Sequence, residues 1–356
     1  MVVPYVSLEW DLVPVMIRHM SQVFCNPRLY HWQQESTPIW KLEWHALKPE
    51  ELPVYLRDFL MRYPYHMRIC VAGARGMLGQ QVIETAVVQG HTVLPWVRPD
   101  VDITNMESLI EQCAYDKPDA IINCAAWTDV DGAETNADAA FLSNKTGAGN
   151  LARVAADSGV RLVHISTDFV YFGDVHRPLV ETDKTGPRSV YGHSKLAGEM
   201  SVLEAHTTAV IIRTGYIFGQ HGANLIDKIA NGIRAGYNMP FVTDQWITPT
   251  GTPLLAEACL RFLTSDLSGI YHVTQGGGCS AFEMASFIAE HVNGTGTITS
   301  TTLDEWEPVQ SARCEAVGRI LAKRPIYSVL NTLKVQSNLG IKPLSWQDAL
   351  RVHLSS

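Results

Sequence analysis

Several features that mark large functional classes are missing from this chain of 356 residues. There is no excess of positive charge. The 28 Lys and Arg residues stand against 36 Asp and Glu, a formal net charge of −8, so the basic face that neutralises nucleic-acid phosphates is not provided. A local cationic pocket for one small anion stays open. No stretch approaches the ~18 uncharged apolar residues that a membrane span requires. Glu9, Asp11 and Arg18 interrupt the segment Met1–Met20 and no small-residue cleavage site follows, which argues against a secretory signal. The seven cysteines (Cys25, Cys70, Cys113, Cys124, Cys259, Cys279 and Cys314) are odd in number and contain no C-x-x-C pair. In a chain of this length they read as reduced thiols of a cytoplasmic protein. The 13 histidines form no H-E-x-x-H or Cys/His ligand spacing, so no metal site is expected. With 46% hydrophobic and 18% charged residues, the composition is that of a globular protein and not of a disordered one.

Glycine is absent from the first 66 residues, whereas four of the nine tryptophans (Trp10, Trp32, Trp40 and Trp44) fall there. Such a segment is neither a flexible linker nor a nucleotide-binding loop. Lys48-Pro49-Glu50-Glu51, followed by Leu52, Val54, Tyr55, Leu56, Phe59 and Leu60, predicts a short helix with a charged first turn that Pro64 ends. Two readings stand side by side. Residues 1–66 are an accessory piece, or translation begins at Met67, where the first strand of a domain starts.

From Met67 the pattern alternates strand and helix. Apolar runs at Arg68–Ala72, His91–Val97, Ala120–Cys124, Arg161–Ser166 and Ala209–Arg213 predict strands. Helical stretches are expected at Met77–Gln89, Met106–Tyr115, Ala137–Ser158 (long and Ala-rich) and Tyr191–Leu203. This order argues for an α/β fold, a doubly wound parallel sheet covered on both faces. The part after residue 235 is less regular, with a strand near Ile270–Thr274 and a helix near Ala281–Val292, and reads as a smaller lobe. The expected division is therefore 1–66, 67–235 and 236–356.

Two constellations carry chemistry. Gly73-Ala74-Arg75-Gly76-Met77-Leu78-Gly79 follows the first strand and opens the first helix. Gly73 permits a tight turn, Gly76 lets backbone approach a pyrophosphate, and Gly79 allows close packing of helix on strand. The helix N-terminus then presents N–H groups and partial positive charge to an anion. A glycine turn that only packs is the plainer alternative. The second strand ends at Trp96-Val97-Arg98 without the carboxylate that would accept a ribose 2′-OH, and Arg75 and Arg98 offer cations where a 2′-phosphate would sit. This favours NADPH, while nearby Asp100 keeps NADH open, and either arginine equally fits an exposed surface charge. The second constellation is Tyr191-Gly192-His193-Ser194-Lys195, whose ends share a helix face. A lysine ammonium there is expected to bring the tyrosine pKa down from ~10 and make it a proton donor. Thr167, at the end of a core strand, can hydrogen-bond the substrate oxygen that Tyr191 protonates, or simply its own backbone.

The G-x-x-G-x-x-G spacing resembles the extended short-chain dehydrogenases. Longer runs narrow the resemblance to the dTDP-4-dehydrorhamnose reductase family. These are DVDIT (Asp100–Thr104), KPDAIINCAAWT (Lys117–Thr128), VDGAE (Val130–Glu134), STDFVYFG (Ser166–Gly173), VYGHSKLAGE (Val190–Glu199), RTGY (Arg213–Tyr216), DQWITPT (Asp244–Thr250), GIYH (Gly269–His272) and KRP (Lys323–Pro325). The likeness covers about residues 67–350. It implies a Rossmann-type domain with a smaller C-terminal substrate-binding lobe. It also implies Tyr191 as proton donor, Lys195 as its tuner and ribose contact, and Thr167 as the residue that orients the carbonyl. Asp102 and Ile103 would meet the adenine, and Ala125, Ala126, Thr128 and Ser166 would line the cofactor's path beside Met77 and Leu78. Asp168, Phe169, Tyr216, Asn224 and Gln245 would face the substrate. The chain departs from the family at Phe169, where Tyr is usual, and at Tyr216, where Trp is frequent. Gln80 and Gln81 stand where some members place a glutamate for Mg²⁺ at a dimer contact, so that metal is not expected.

The activity so implied is NADPH-dependent reduction of the C4 ketone of a nucleotide-linked 4-keto-6-deoxyhexose, in the synthesis of deoxysugars for cell-surface polysaccharides. Reduction or epimerisation of another nucleotide sugar is the nearest alternative. A different class is a regulatory subunit that binds NADP without turnover, against which the intact Thr167, Tyr191 and Lys195 set argues. The partner is a nucleotide-linked sugar, with neither nucleic acid nor membrane, and the resemblance allows a homodimer.

Overall fold

The computed structural model describes residues 66–355. The helix expected around residues 48–60, and every expectation for the segment before residue 66, lies outside the described residues. The chain divides into two units, Met1–Pro64 and Tyr65–Ser356.

Alternation of strand and helix runs as the sequence predicts. Strand β1 (Arg68–Ala72) leads to helix α1 (Met77–Val88), β2 (Thr92–Trp96), α2 (Met106–Asp116) and β3 (Ala120–Asn123). Helices α3 (Val130–Thr135), α4 (Ala137–Phe141) and α5 (Ala148–Asp157) precede β4 (Arg161–Thr167), α6 (Val190–Ala205) and β5 (Val210–Thr214). One six-stranded parallel sheet results, in the order Gly269–His272, β5, β4, β3, β1, β2. The chain leaves β1 toward β2 on one side and returns to β3 on the other, which makes the β1/β3 boundary the switch point where open α/β sheets bind ligands.

Successive strand residues face opposite layers. Ile69, Val71, Ile122, Val163, Ile165, Val210 and Ile212 pack with α1 and helix Thr252–Leu263, while Cys70, Ala72, Ile121, Leu162 and Ile211 pack with residues of α2, α5 and α6. Both faces are covered, as all-parallel sheets require. Near the C-terminal ends of the strands the second face turns polar, with Asn123, His164, Ser166, Arg213 and His272 all buried. Neighbouring strands set Asn123 beside His164, Ser166 beside Arg213, and Arg213 beside His272.

Two elements beyond residue 235, strand Gly269–His272 and helix Thr252–Leu263, belong to this first layer structure. A separate core gathers Ile226, Ile229, Ile233, Ile247, Met284, Ile288, Trp346 and Leu350. The long helix predicted over Ala137–Ser158 is interrupted by a π-helical stretch at Leu142–Gly147. The reason lies in packing. A Cβ on Gly198 of α6 would sit 2.1 Å from the Asn144 carbonyl, so the two backbones touch there. The Asn144 side chain is spent on Trp127 and Ser194. Such π-bulges recur at functional sites.

Candidate active site

The crevice opens where β1 ends. Gly73 adopts φ +76°, and a Cβ on it would lie 2.7 Å from the Ala125 amide nitrogen, so the loops after β1 and β3 meet backbone to backbone. A Cβ on Gly79 would fall 2.3 Å from the Gly73 carbonyl oxygen, which seats the first turn of α1 directly on the loop. The N-cap of α1 is Gly76, with no side-chain cap and no acidic residue in the first turn. A backbone cradle that side chains would fill, at the N-terminus of an uncapped helix, fits the pyrophosphate of a dinucleotide. Leu78 sends its side chain into the core, so within the turn it offers backbone. Arg75 and Arg98 are exposed together at the tip of β2, where Arg75 Nη1 donates to the Arg98 carbonyl at 3.4 Å. Asn123 braces the opposite wall, because its Oδ1 accepts from Ala125 N at 3.0 Å and its Nδ2 meets His164 Nδ1 at 3.0 Å. Ala126 is half-buried and Thr128 exposed farther along this loop. Asp102 closes its own turn onto Thr104 N and Oγ1, and Ile103 is buried with its carbonyl accepting from Asn150.

The candidate reacting groups collect at the end of β4. Thr167 Oγ1 accepts from Phe169 N at 3.2 Å and donates to Asp168 Oδ1 at 3.0 Å, closing a short 3-10 turn. Ser189 caps α6 by accepting from Gly192 N at 3.1 Å. A Cβ on Gly192 would meet the Phe169 carbonyl at 2.5 Å, so glycine lets the first turn of α6 rest on the 3-10 turn. This contact brings Tyr191 to Thr167, with which it shares a hydroxyl hydrogen bond, and edge-on to Phe169 at 5.7 Å between ring centroids. One turn on, Lys195 is buried and its Nζ donates to the Ile165 carbonyl at 2.6 Å.

Burial dominates the electrostatics. It pushes the Tyr191 phenol up to about 12, with the charge of Asp168 adding and the Thr167 bond opposing. Lys195 is brought down to about 8 by burial, against the pull of Glu199. The expected lowering of Tyr191 by Lys195 is thus not what the geometry delivers, since the polar groups acting on the phenol are Thr167 and Asp168. A phenol so held stays protonated at neutral pH, as a proton donor must. Burial also raises the Asp168 carboxyl to about 6, although Ser328, Thr167 and backbone groups hydrogen-bond to it. Tyr216 takes φ +45° opposite this carboxyl, and a Cβ on Gly215 would lie 2.6 Å from Asp168 Cγ. The Tyr216 phenol is pushed up to about 12 by burial and by Asp168, with Arg324 opposing.

Not every residue singled out in the sequence points into this space. Ser166 Oγ is buried and donates to Glu199 Oε1 at 2.5 Å. Asn224 caps helix Leu225–Arg234, its amide engaged by Gly219 O, Asp227 N and Asp227 Oδ2. Gln245 Nε2 donates to the Pro325 carbonyl at 3.1 Å. Conversely, Ser328, Glu199 and Arg213 enter the site's surroundings without having been singled out. Glu199 stands four residues after Lys195, a spacing that could have found it. Ser328 lies about 160 residues from Asp168 in the chain and leaves no local signal.

A family model described as the RmlD substrate binding domain matches residues 67–356. The spore coat polysaccharide biosynthesis protein SpsK of Bacillus subtilis is 33% identical over 287 residues, 81% of this chain and 96% of that protein. A dTDP-4-dehydrorhamnose reductase of Mycolicibacterium smegmatis is 35% identical over 289 residues, covering 80% and 84% of the two chains. The crystal structure of the Bacillus anthracis dTDP-4-dehydrorhamnose reductase in complex with NADP superposes with a TM-score of 0.75 at 30% identity, over 82% of this chain and 99% of that one.

Proposed function

The chain belongs to the RmlD family of dTDP-4-dehydrorhamnose reductases, and on that premise we propose that it reduces the C4 ketone of a nucleotide-linked 4-keto-6-deoxyhexose for the synthesis of a polysaccharide or related glycan. The observation that carries the reading is the meeting of Tyr191, Thr167 and Lys195 at the end of β4, one strand from the glycine cradle. NADPH, when bound, supplies the hydride. The Gly73–Gly79 turn would hold its pyrophosphate, and Arg75 with Arg98 its 2′-phosphate.

The chain's own residues handle the proton. Thr167 and Tyr191 present two hydroxyls to the substrate carbonyl, and Tyr191 O–H gives its proton to the oxygen as negative charge develops there. Positioned proton transfer of this kind contributes roughly 10²–10⁴-fold. Lys195, cationic below about pH 8, stands one helical turn after Tyr191 and would contact the cofactor's ribose there. Phe169 supplies an apolar edge beside Tyr191 and helps exclude water. Asp168 and Tyr216 border the sugar on the other side. The wider reading takes a homodimer as the assembly and the cytoplasm as the compartment. The test is NADPH oxidation with a panel of nucleotide-linked keto sugars. Turnover of a 4-keto-6-deoxyhexose is expected; tight NADP(H) binding with no turnover of any sugar would favour a regulatory subunit instead.

A further inference from the structure

Behind Tyr191 the second face of the sheet carries a buried polar layer that the reaction as described does not use. Consecutive residues of β4 hold two side chains of α6. The Ile165 carbonyl accepts from Lys195 Nζ at 2.6 Å, and Ser166 Oγ donates to Glu199 Oε1 at 2.5 Å. Lys195 and Glu199 are one helical turn apart on α6 and each is only 2% exposed, so both charges are buried against the same stretch of β4. Arg213 on β5 grips the same carboxylate with two bonds, Nε to Oε1 at 2.9 Å and Nη2 to Oε2 at 2.6 Å. Its Nη1 donates to the Tyr171 hydroxyl at 2.6 Å, and that hydroxyl lies 2.7 Å from His272 Nε2. His272 Nδ1 faces only carbonyls, Leu179 O and Asn331 O, so it carries the proton and Nε2 accepts from Tyr171. The chain ends in a neutral histidine.

We propose that Glu199 is a positioning residue of the reaction, a buried counter-charge that keeps Lys195 protonated one helical turn after Tyr191, and that Arg213 sets how much of that charge Lys195 feels. This rests on the reductase reading only for its consequence in catalysis. The physical alternative, an ion pair that merely joins α6 to β5, explains the Arg213 bonds but not why the carboxylate shares a strand with the ammonium. The other titratable groups around Lys195 cannot take its place. Cys124 after β3 is held as a neutral thiol, its pKa raised to about 12 by burial. His164 on β4 is held neutral by burial, its proton affinity lowered further by Lys195 itself. Tyr191 on α6 stays protonated. Among the groups these elements place against the ammonium, Glu199 supplies the negative charge.

The test reads Lys195 directly, in the cofactor-free full-length protein, by NMR titration of the protein labelled with ¹³C at lysine Cε. The Lys195→Met variant assigns the signal. In Glu199→Gln the Lys195 midpoint is expected to fall by about one pH unit or more, because the ammonium loses its counter-charge while the Arg213 cation remains on the neighbouring strand. In Arg213→Gln it is expected to rise, because the carboxylate is freed for Lys195. Loosening of the fold would instead raise both midpoints toward the value of a solvated lysine. In assays with the keto sugar, the high-pH limb of kcat/KM should follow the midpoint downward in Glu199→Gln. If that variant does not fold, Glu199→Asp, with the charge drawn back by one methylene, should shift the midpoint the same way by less. A Lys195 midpoint unmoved in Glu199→Gln, with lowered Tm as the only effect, would overturn the proposal. A shifted midpoint in a protein that turns over no sugar would overturn the reductase reading and leave standing only the pairing of Glu199 with Lys195.

Discussion

At the residue scale, the proposed site separates groups placed to act on the substrate from groups placed to act on the cofactor. Tyr191→Phe is expected to lower kcat by at least ~10²-fold while NADPH binds with unchanged affinity, because the hydroxyl serves the substrate oxygen. Steady-state kinetics with a fluorescence titration of NADPH checks both halves, and near-normal turnover would remove Tyr191 from its role. Under the same proposal Arg75 and Arg98 belong to the other group. Replacing both with alanine should raise KM for NADPH and leave that for NADH nearly unchanged, and at about 1.5–3 kcal/mol per charge-assisted bond even one lost contact shifts the preference roughly tenfold or more. Equal effects on the two cofactors would assign the arginines to the shared pyrophosphate or to the fold. Asp168 shows a stability cost carried at the site. Its folded carboxyl titrates at about 6 instead of 3.8, so the folded state holds a proton that the unfolded chain has lost, and stability falls as pH rises from about 4 to about 6. The full effect is on the order of 3 kcal/mol. Asp168→Asn keeps the shape without the charge. It should therefore raise Tm at pH 7 and gain much less at pH 4, while losing activity; a Tm gain of equal size at both pH values would contradict the assignment.

At the scale of elements, the β1–α1 unit shows how backbone contact makes the cradle proposed for the cofactor. Gly79→Ala would place a methyl group 2.3 Å from the Gly73 carbonyl, forcing the loop off the first turn of α1. The expected result is at least a tenfold weaker NADPH affinity with most of the stability retained, measured by binding titration and thermal melts. Wild-type affinity would mean that the loop can shift without cost to the cradle. This unit was legible in the sequence because strand, glycine turn and helix are contiguous. So was the Tyr191–Lys195 pair, which needs only helical spacing. What could not be read comes from contacts between distant segments. The π-bulge at Leu142–Gly147 exists because α6 presses its Gly198 against Asn144. Strand Gly269–His272 reads locally as part of a terminal lobe, and only pairing with β5 makes it the sheet's edge. Ser166 was read toward the cofactor from its place in a motif, whereas its side chain turns to Glu199. Asn224 likewise spends its amide on the start of its own helix, and Gln245 donates to the distant Pro325 carbonyl, so motif membership alone did not give their direction.

At the scale of the whole molecule, the unit Tyr65–Ser356 contains the sheet, both of its covering layers, the second core and every residue assigned a role. A chain beginning at Met67 is therefore expected to stay soluble and to keep kcat/KM within about threefold, roughly 0.7 kcal/mol. Insolubility, or a large loss of activity, would show that the first 66 residues cover apolar surface or complete the site. The central claim is that this molecule moves a hydride to C4 of a nucleotide-linked sugar and a proton from Tyr191 to the oxygen on that carbon. Its most direct test is one incubation of the full-length protein with NADPH deuterated at the nicotinamide C4 position, each face in turn, and a dTDP-linked 4-keto-6-deoxyhexose. Mass spectrometry and NMR of the product should find a single deuterium, bonded to sugar C4 and delivered from one face only. Tight cofactor binding with no deuterium in any sugar product, or label at a carbon other than C4, would contradict the account.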